Sequence, residues 1–273
     1  MRVGFIGLGS MGLPMAQRIQ DEGHDLVVWA RRSASLTPFA DTKAVVAASP
    51  ADLGAQVETV GLCVFDAADV DHVLFGPDGI AETLAAGSVV MVHSTVAPVE
   101  AVELAAKIRA AGFRMVEAPV SGGSGRARAG QLTIMVGGDA ESIRTVSSVL
   151  DAVSSHVVHL GDVGSAARAK LINNTLFTAQ VVLADWALAL GETLGLSPAE
   201  LKETLSSSRS ACVASQRRFQ EESLAGIAGS VTDHALMKDI ALLARELGPE
   251  RSSELLKITE PFAVAMRSAP GVR

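Results

Sequence analysis

RVGFIGLGSMGLPMAQRIQDEG, residues 2–23, decides how the rest of the chain is read. Val3, Phe5 and Ile6 make a short apolar, partly β-branched run, GLGSMG breaks it, and the residues from Met11 to Glu22 carry a helical pattern that Gly23 stops. Leu26, Val27, Val28 and Trp29 then form a second strand pattern. Three glycines in a GxGxxG spacing mean little alone. Between a strand and a helix, with another strand behind, they have a mechanism. Gly7 allows a tight turn, Gly9 lets the backbone approach a pyrophosphate, and Gly12 lets helix and strand pack closely. The N-terminus of the helix then turns its N–H groups and partial positive charge toward phosphates.

The end of the second strand bears on which dinucleotide is bound. Sites for NAD usually place a carboxylate there, and this chain reads Trp29-Ala30-Arg31-Arg32-Ser33. A guanidinium makes paired, charge-assisted hydrogen bonds to a 2′-phosphate, so NADP is the expected cofactor, with NAD the alternative. Arg31 is the first choice for that contact, with Arg32 and Ser33 behind it.

Composition bounds the remaining classes. The chain has 273 residues, 48% of them apolar, a formal net charge of −7 and two cysteines, Cys63 and Cys212. The apolar runs are too often interrupted to span a bilayer, and the negative charge argues against a general affinity for nucleic acid. No basic, then apolar leader pattern precedes the first strand, and two distant cysteines make no disulfide framework, so a cytoplasmic location is expected. The six histidines show no HExxH or paired-ligand spacing, and no metal is expected.

The alternation of strand and helix continues. Strand patterns fall at 57–65, 88–92, 113–117, 132–136 and 156–159, and helical ones at 67–74, 98–111 and 139–150. This predicts a mainly parallel sheet covered on both faces. After Gly161 the pattern changes. A single helix is expected from Ser165 to Leu194, with Ile172, Leu176, Ala179, Leu183, Trp186 and Leu190 recurring at steps of three and four. Between Leu171 and Leu190 its only charged residue is Asp185, which predicts burial by neighbours on several sides. The rest, to about Arg267, reads as helical, with 206–220 a polar surface connection or helix end and 268–273 a frayed tail. The expected fold class is α/β: an N-terminal Rossmann-type doubly wound parallel sheet over residues 1–161, then an all-α domain led by a long helix over residues 162–273.

Three stretches are candidates for chemistry where two such domains meet. In HSTVAP, Ser94 or Thr95 caps the following helix or bonds a cofactor. In EAPVSGGSGRARAGQ, the backbone at Ser121-Gly122-Gly123 is free to turn N–H groups toward a carboxylate or phosphate, or is a plain flexible loop. In GDVGSAARAKLINN, Lys170 and Asn174 are four apart and share one helical face, with Asn173 beside them. Lys170 heads a helix almost free of charge, which favours a cleft over open solvent.

GFIGLGSMGLPMA, APVSGG with GQLTIMVGG, GDVGSAARAKLINN and MKDIALL, in this order over nearly the whole chain, resemble the landmarks of the β-hydroxyacid dehydrogenases, the relatives of 3-hydroxyisobutyrate dehydrogenase and tartronate semialdehyde reductase. The resemblance implies hydride transfer between NAD(P) and a small β-hydroxy acid, semialdehyde or short 2-oxo acid, and a helical domain like that of 6-phosphogluconate dehydrogenase. It implies a catalytic set of Lys170, the acid/base, Asn174, a substrate-positioning group, and Ser121. Ser121, Gly122 and Gly123 become contacts for the substrate carboxylate. The cofactor set becomes Gly7, Leu8, Gly9, Ser10, Met11 and Gly12, the loop residues Val64 and Phe65, Thr95 and Lys238. It further implies a homodimer or homotetramer. Acting as a base, Lys170 must be a neutral amine, so its surroundings must lower a pKa that starts at about 10.4.

The departures bear on the substrate. His93 stands where family members often carry Asp, Glu117 replaces the Asp of Asp-Ala-Pro-Val, Phe65 a customary proline and Arg126 a customary glycine; Gly164-Ser165-Ala166 replaces Gly-x-Gly. Arg126 either adds charge near an acidic substrate or points into solvent, the latter favoured. His234, four residues before Lys238, reads as a surface histidine or one facing the cleft. Two rival functions remain. An imine reductase shares the architecture but generally lacks a lysine at position 170, and a non-catalytic NADP-binding regulator would not need Ser121, Lys170 and Asn174 together.

Overall fold

The computed structural model describes residues 1–228 and 231–268, with the side chains of 228, 231–234 and 267–268 left aside. Its first compact unit, Met1–Lys170, carries all the strands among the described residues. In chain order these elements are β1 (Arg2–Ile6), α1 (Gly12–Asp21), β2 (Asp25–Trp29), β3 (Val45–Val46), α2 (Pro50–Gly54), β4 (Thr59–Leu62), α3 (Ala67–Phe75), β5 (Val89–Val92), α4 (Pro98–Ala110), β6 (Arg114–Glu117), β7 (Val120–Ser121), α5 (Gly123–Arg128), β8 (Leu132–Val136), α6 (Ala140–Val153) and β9 (Ser154–His159). Short 3₁₀ helices at Ser33–Phe39 and Ile80–Glu82 were not legible in the sequence.

Six strands form one parallel sheet in the order β3-β2-β1-β4-β5-β6, the Rossmann-type arrangement. Both faces are closed, because the parallel crossovers return a helix to each side. Val3, Phe5, Val28, Val89 and Met91 pack with Met15 and Ile19 of α1 and Val146, Val149 and Leu150 of α6. Ile6, Val27, Val60, Leu62, Val90 and Val92 pack on the opposite side with Leu53, Val70, Leu74, Leu104 and Ile108. That is why these strands read as unbroken apolar runs.

The parallel sheet does not take in every strand of this unit. The strands after β6 form a second, three-stranded sheet in the order β7-β8-β9, with β7 antiparallel and β8 parallel to its neighbour. Pro119 interrupts the chain between β6 and β7, and an isolated antiparallel bridge, Glu117 to Gly137, joins the two sheets.

The second unit, from Leu171 onward, is helical. The division falls inside α7 (Ser165–Thr193), which is followed by α8 (Pro198–Ser207), α9 (Val213–Phe219), α10 (Leu224–Ala228) and α11 (Val231–Ser268). Gly248, at φ 75°, kinks α11 just before Pro249, a proline that removes one helical donor. Val181, Ala214, Leu224, Ile227, Leu236, Phe262 and Met266 make the core of this unit.

The polar segment 206–220 holds the end of α8, as one of its two readings expected, and beyond that a further helix, α9, whose Arg218 is buried and pairs with Asp185 of α7 at 2.6 Å. The one charge in the apolar stretch of α7 thus has a partner. One expectation fails here: α7 is not enclosed. Val181, Ala184 and Leu188 are buried, whereas Ile172, Leu176, Leu183, Trp186 and Leu190 are exposed, Trp186 by 61% and Leu183 by 58%. The helices of this unit pack on one side only, and the stripe with the most regular spacing faces away from them. Of the proposed tail at 268–273, Ser268 still belongs to α11 and 269–273 lie outside the described residues; no described helix is long and apolar enough to cross a membrane.

Candidate functional site

The glycine crossover can be tested for fit to a dinucleotide by asking what a side chain would meet. A Cβ on Gly7, which has φ 98°, would lie 2.2 Å from the Cys63 carbonyl oxygen, and one on Gly12 would collide with the Gly7 carbonyl oxygen. Both positions are closed by the chain itself: β1 turns sharply over the end of β4 and α1 starts directly on that turn. A Cβ on Gly9 would meet nothing within 4 Å. Its open face leaves backbone accessible at the start of α1, as a pyrophosphate requires. Leu8 is buried beneath the loop, Met11 is half-buried and Ser10 is exposed. The residues present therefore fit the cofactor.

The other candidates of the first unit follow the carboxyl ends of parallel strands. Arg31 and Arg32 come just after β2 and are exposed, with Ser33 opening the 3₁₀ turn. Val64 and Phe65 follow β4; the Val64 N–H donates to Ser94 Oγ at 3.0 Å, and Phe65 is 56% exposed. Neither Ser94 nor Thr95 caps α4. The cap position is Ala97, whose N–H donates to Glu100 at 2.8 Å, because Pro98 starts the helix two residues later than a cap at 95 would allow. Ser94 is thus committed to holding the Val64 loop.

His93, just past β5, and Glu117, at the end of β6, are both buried. The His93 ring is buried, lies near-parallel to Phe5 with centroids 5.9 Å apart, and donates from Nδ1 to the Ala118 carbonyl at 2.8 Å. A carbonyl only accepts, so Nδ1 carries the proton. Burial pushes the His93 pKa down to about 4, the hydrogen bond to Ala118 only partly opposing it. Cys63 sits beneath the Gly7 turn, where burial pushes its thiol up to about 12.

Ser121 ends β7 half-buried, with Gly122 and Gly123 exposed. The stretch is not a plain flexible loop, for α5 begins at Gly123. Arg126, one turn on, is exposed, and its aliphatic stem lies against Gly122, where a Cβ would meet it at 3.1 Å. Lys170 is only 8% exposed, and its ammonium nitrogen donates to the Val120 carbonyl at 2.8 Å, one residue before Ser121.

In the second unit, Asn174 is also 8% exposed. Its amide donates to Asp239 Oδ2 at 2.5 Å and its oxygen accepts from Asn173 at 3.0 Å. Lys238 of α11 is half-buried. Asp239, fully buried, is a residue that the sequence reading passed over. Its position inside MKDIALL, an acid amid apolar residues, was the available signal. His234 lies where side chains are not described.

Fold and crossover define a dinucleotide-binding protein of the Rossmann class. The family model for the NAD binding domain of 6-phosphogluconate dehydrogenase matches residues 2–161. L-threonate dehydrogenase of Cupriavidus necator is 36% identical over 207 residues, 76% of this chain and 70% of that one. The mitochondrial 3-hydroxyisobutyrate dehydrogenase of Homo sapiens is 34% identical over 210 residues, covering 77% of this chain and 62% of the enzyme. Among solved structures, Psf3 in complex with NADP+ and 2-OPP superposes with a TM-score of 0.87 at 25% identity, over 97% of this chain and 94% of that one. The chain belongs to the β-hydroxyacid dehydrogenase family. It spans about two thirds of the length of the curated relatives it matches, 66% for an oxidoreductase of Mycobacterium tuberculosis.

Proposed function

We propose that the protein is an NADP-preferring oxidoreductase that interconverts a small β-hydroxy acid with its semialdehyde, or reduces a short 2-oxo acid. The observation that carries this reading is the burial of Lys170, its amine held by Val120 beside Ser121-Gly122-Gly123. When bound, the nicotinamide cofactor supplies hydride chemistry. Lys170 Nζ would take the hydroxyl proton during oxidation and return one to the forming alkoxide during reduction. Ser121, Gly122 and Gly123 would hold the carboxylate. Asn174, its amide fixed by Asp239, would orient the substrate. Gly7 to Gly12, Val64, Phe65, Thr95 and Lys238 would seat the cofactor, and Arg31, with Arg32 and Ser33, would meet the 2′-phosphate. An NADP+ complex of a structural neighbour supports the preference for NADP.

In this reading residues 1–161 bind the dinucleotide and 162–273 serve substrate binding and assembly. The enzyme is cytoplasmic and a homodimer or homotetramer, the exposed apolar stripe of α7 being the surface that association would cover. NADPH-dependent reduction of a panel of short semialdehydes and 2-oxo acids tests the activity. Lys170→Ala should lower turnover on the preferred substrate by two or more orders of magnitude, roughly what loss of acid–base catalysis costs. An unimpaired Lys170→Ala enzyme rules out the assignment. Arg31→Ala should reduce the preference for NADPH over NADH about tenfold, as loss of one charge-assisted contact implies.

A further inference from the structure

Glu117 ends β6 at 1% exposure with both carboxylate oxygens engaged. Oε2 accepts from the Gly164 N–H and Oε1 from the Ala167 N–H, each at 2.8 Å. These donors belong to the start of α7, where backbone N–H groups lack partners within the helix. Three residues after Glu117, the Val120 carbonyl accepts from Lys170 Nζ at 2.8 Å. The same short segment therefore grips α7 twice, first by its opening backbone and then by its lysine. The spans agree: an extended chain advances about 10 Å over three residues, and a helix about 9 Å over the six from 164 to 170.

The gripping segment is itself fixed. Glu117 exchanges both backbone hydrogen bonds with Gly137 at 2.9 Å, Ala118 donates to Val92 and accepts from His93, and Met135 donates to Pro119. A Cβ on Gly137 would stand 2.6 Å from Glu117 Oε2, so that position is clear for the carboxylate. Burial raises the Glu117 pKa above the ordinary carboxylate value, and the backbone donors of Gly164, Ala167 and Ala166, with the charge of Arg168, only partly oppose that rise.

We infer that Glu117 is a positioning residue: by holding the first turn of α7 it sets where the Lys170 amine sits. The inference rests on Lys170 being the proton-transfer group, and its test separates the two. On the full-length protein without cofactor, site-resolved acetylation by acetic anhydride, read by mass spectrometry, reports access to the amine. Glu117→Gln should accelerate labelling of Lys170 at least tenfold while exposed Lys107 labels at the wild-type rate. Glu117→Asp, which keeps the charge but shortens the reach, should give a folded protein with an intermediate rate.

With NADPH and tartronate semialdehyde as the probe, Glu117→Gln should lower kcat tenfold or more, since a displacement near 1 Å can cost about a hundredfold. KM and NADPH affinity should stay within twofold. In a Lys170→Ala background the same change should lower kcat no further. Unchanged Lys170 labelling in both variants, or an equal fall of kcat in both backgrounds, overturns the inference. Accelerated labelling together with a fully active Lys170→Ala enzyme would instead leave the clamp standing and remove the role given to the lysine.

Discussion

β5 and α7 are both apolar nearly all round, and the chain treats them oppositely. Val89 to Val92 in β5 are covered on both sides by the helices that the parallel crossovers bring back. Along α7, Val181 and Leu188 are covered while Leu183, Trp186 and Leu190 are not. An apolar circumference therefore states that an element is to be covered, without saying by whom. For β5 the cover lies in the same chain. For α7 the single chain leaves one side uncovered, which is where the proposed association enters.

The sharpest way to break this comparison is to charge the two sides of α7 separately. Val181→Asp places a carboxylate at a site with no exposure, and should cost about 4 kcal/mol or more, unfolding the helical unit in a thermal melt. A melt that stays put would mean that the covered side is not core. The closed side of β5 can be probed with protons at His93, just beyond its end. Its folded pKa of about 4 lies below the ordinary 6.5, so the unfolded chain binds more protons. That stability is fully present above pH 6.5 and is lost as pH falls toward 4, amounting to about 3 kcal/mol at most. Chemical denaturation across that window should show the slope in the wild type and a flatter one in His93→Leu. Equal slopes would exclude a neutral buried imidazole. The smallest energetic effect is expected on the open side. Leu183→Lys with Trp186→Lys should leave the protomer's stability within about 0.5 kcal/mol, the usual range for surface changes, yet reduce the mass measured by light scattering to that of a smaller species. An unchanged mass would move the assembly surface elsewhere.

Much of the first unit could be read in advance because its signals are local. GLGSMG between strand and helix, and helix stops at Gly23 and Gly112, concern neighbours in sequence. β3 and β7, two residues each, are too short to register a period. The contacts around the candidate site were hidden for a different reason. Glu117 reaches backbone groups 47 and 50 residues away, and Asn174 meets Asp239 across 65, and no pattern of residue types encodes a distant N–H. The stripe on α7 was visible but its direction was not, since period gives faces and only packing gives inside and outside.

The two thiols are chemically unequal. Cys212 lies before α9, where burial raises its pKa but hydrogen bonds from the backbone and hydroxyl of Ser215 and the backbone of Ala214 outweigh that and hold it below the ordinary value. Alkylating reagents attack thiolates. A maleimide dye offered to the native protein would therefore mark the helical half at one place and spare the nucleotide fold, a ready-made attachment point for fluorescence without engineering.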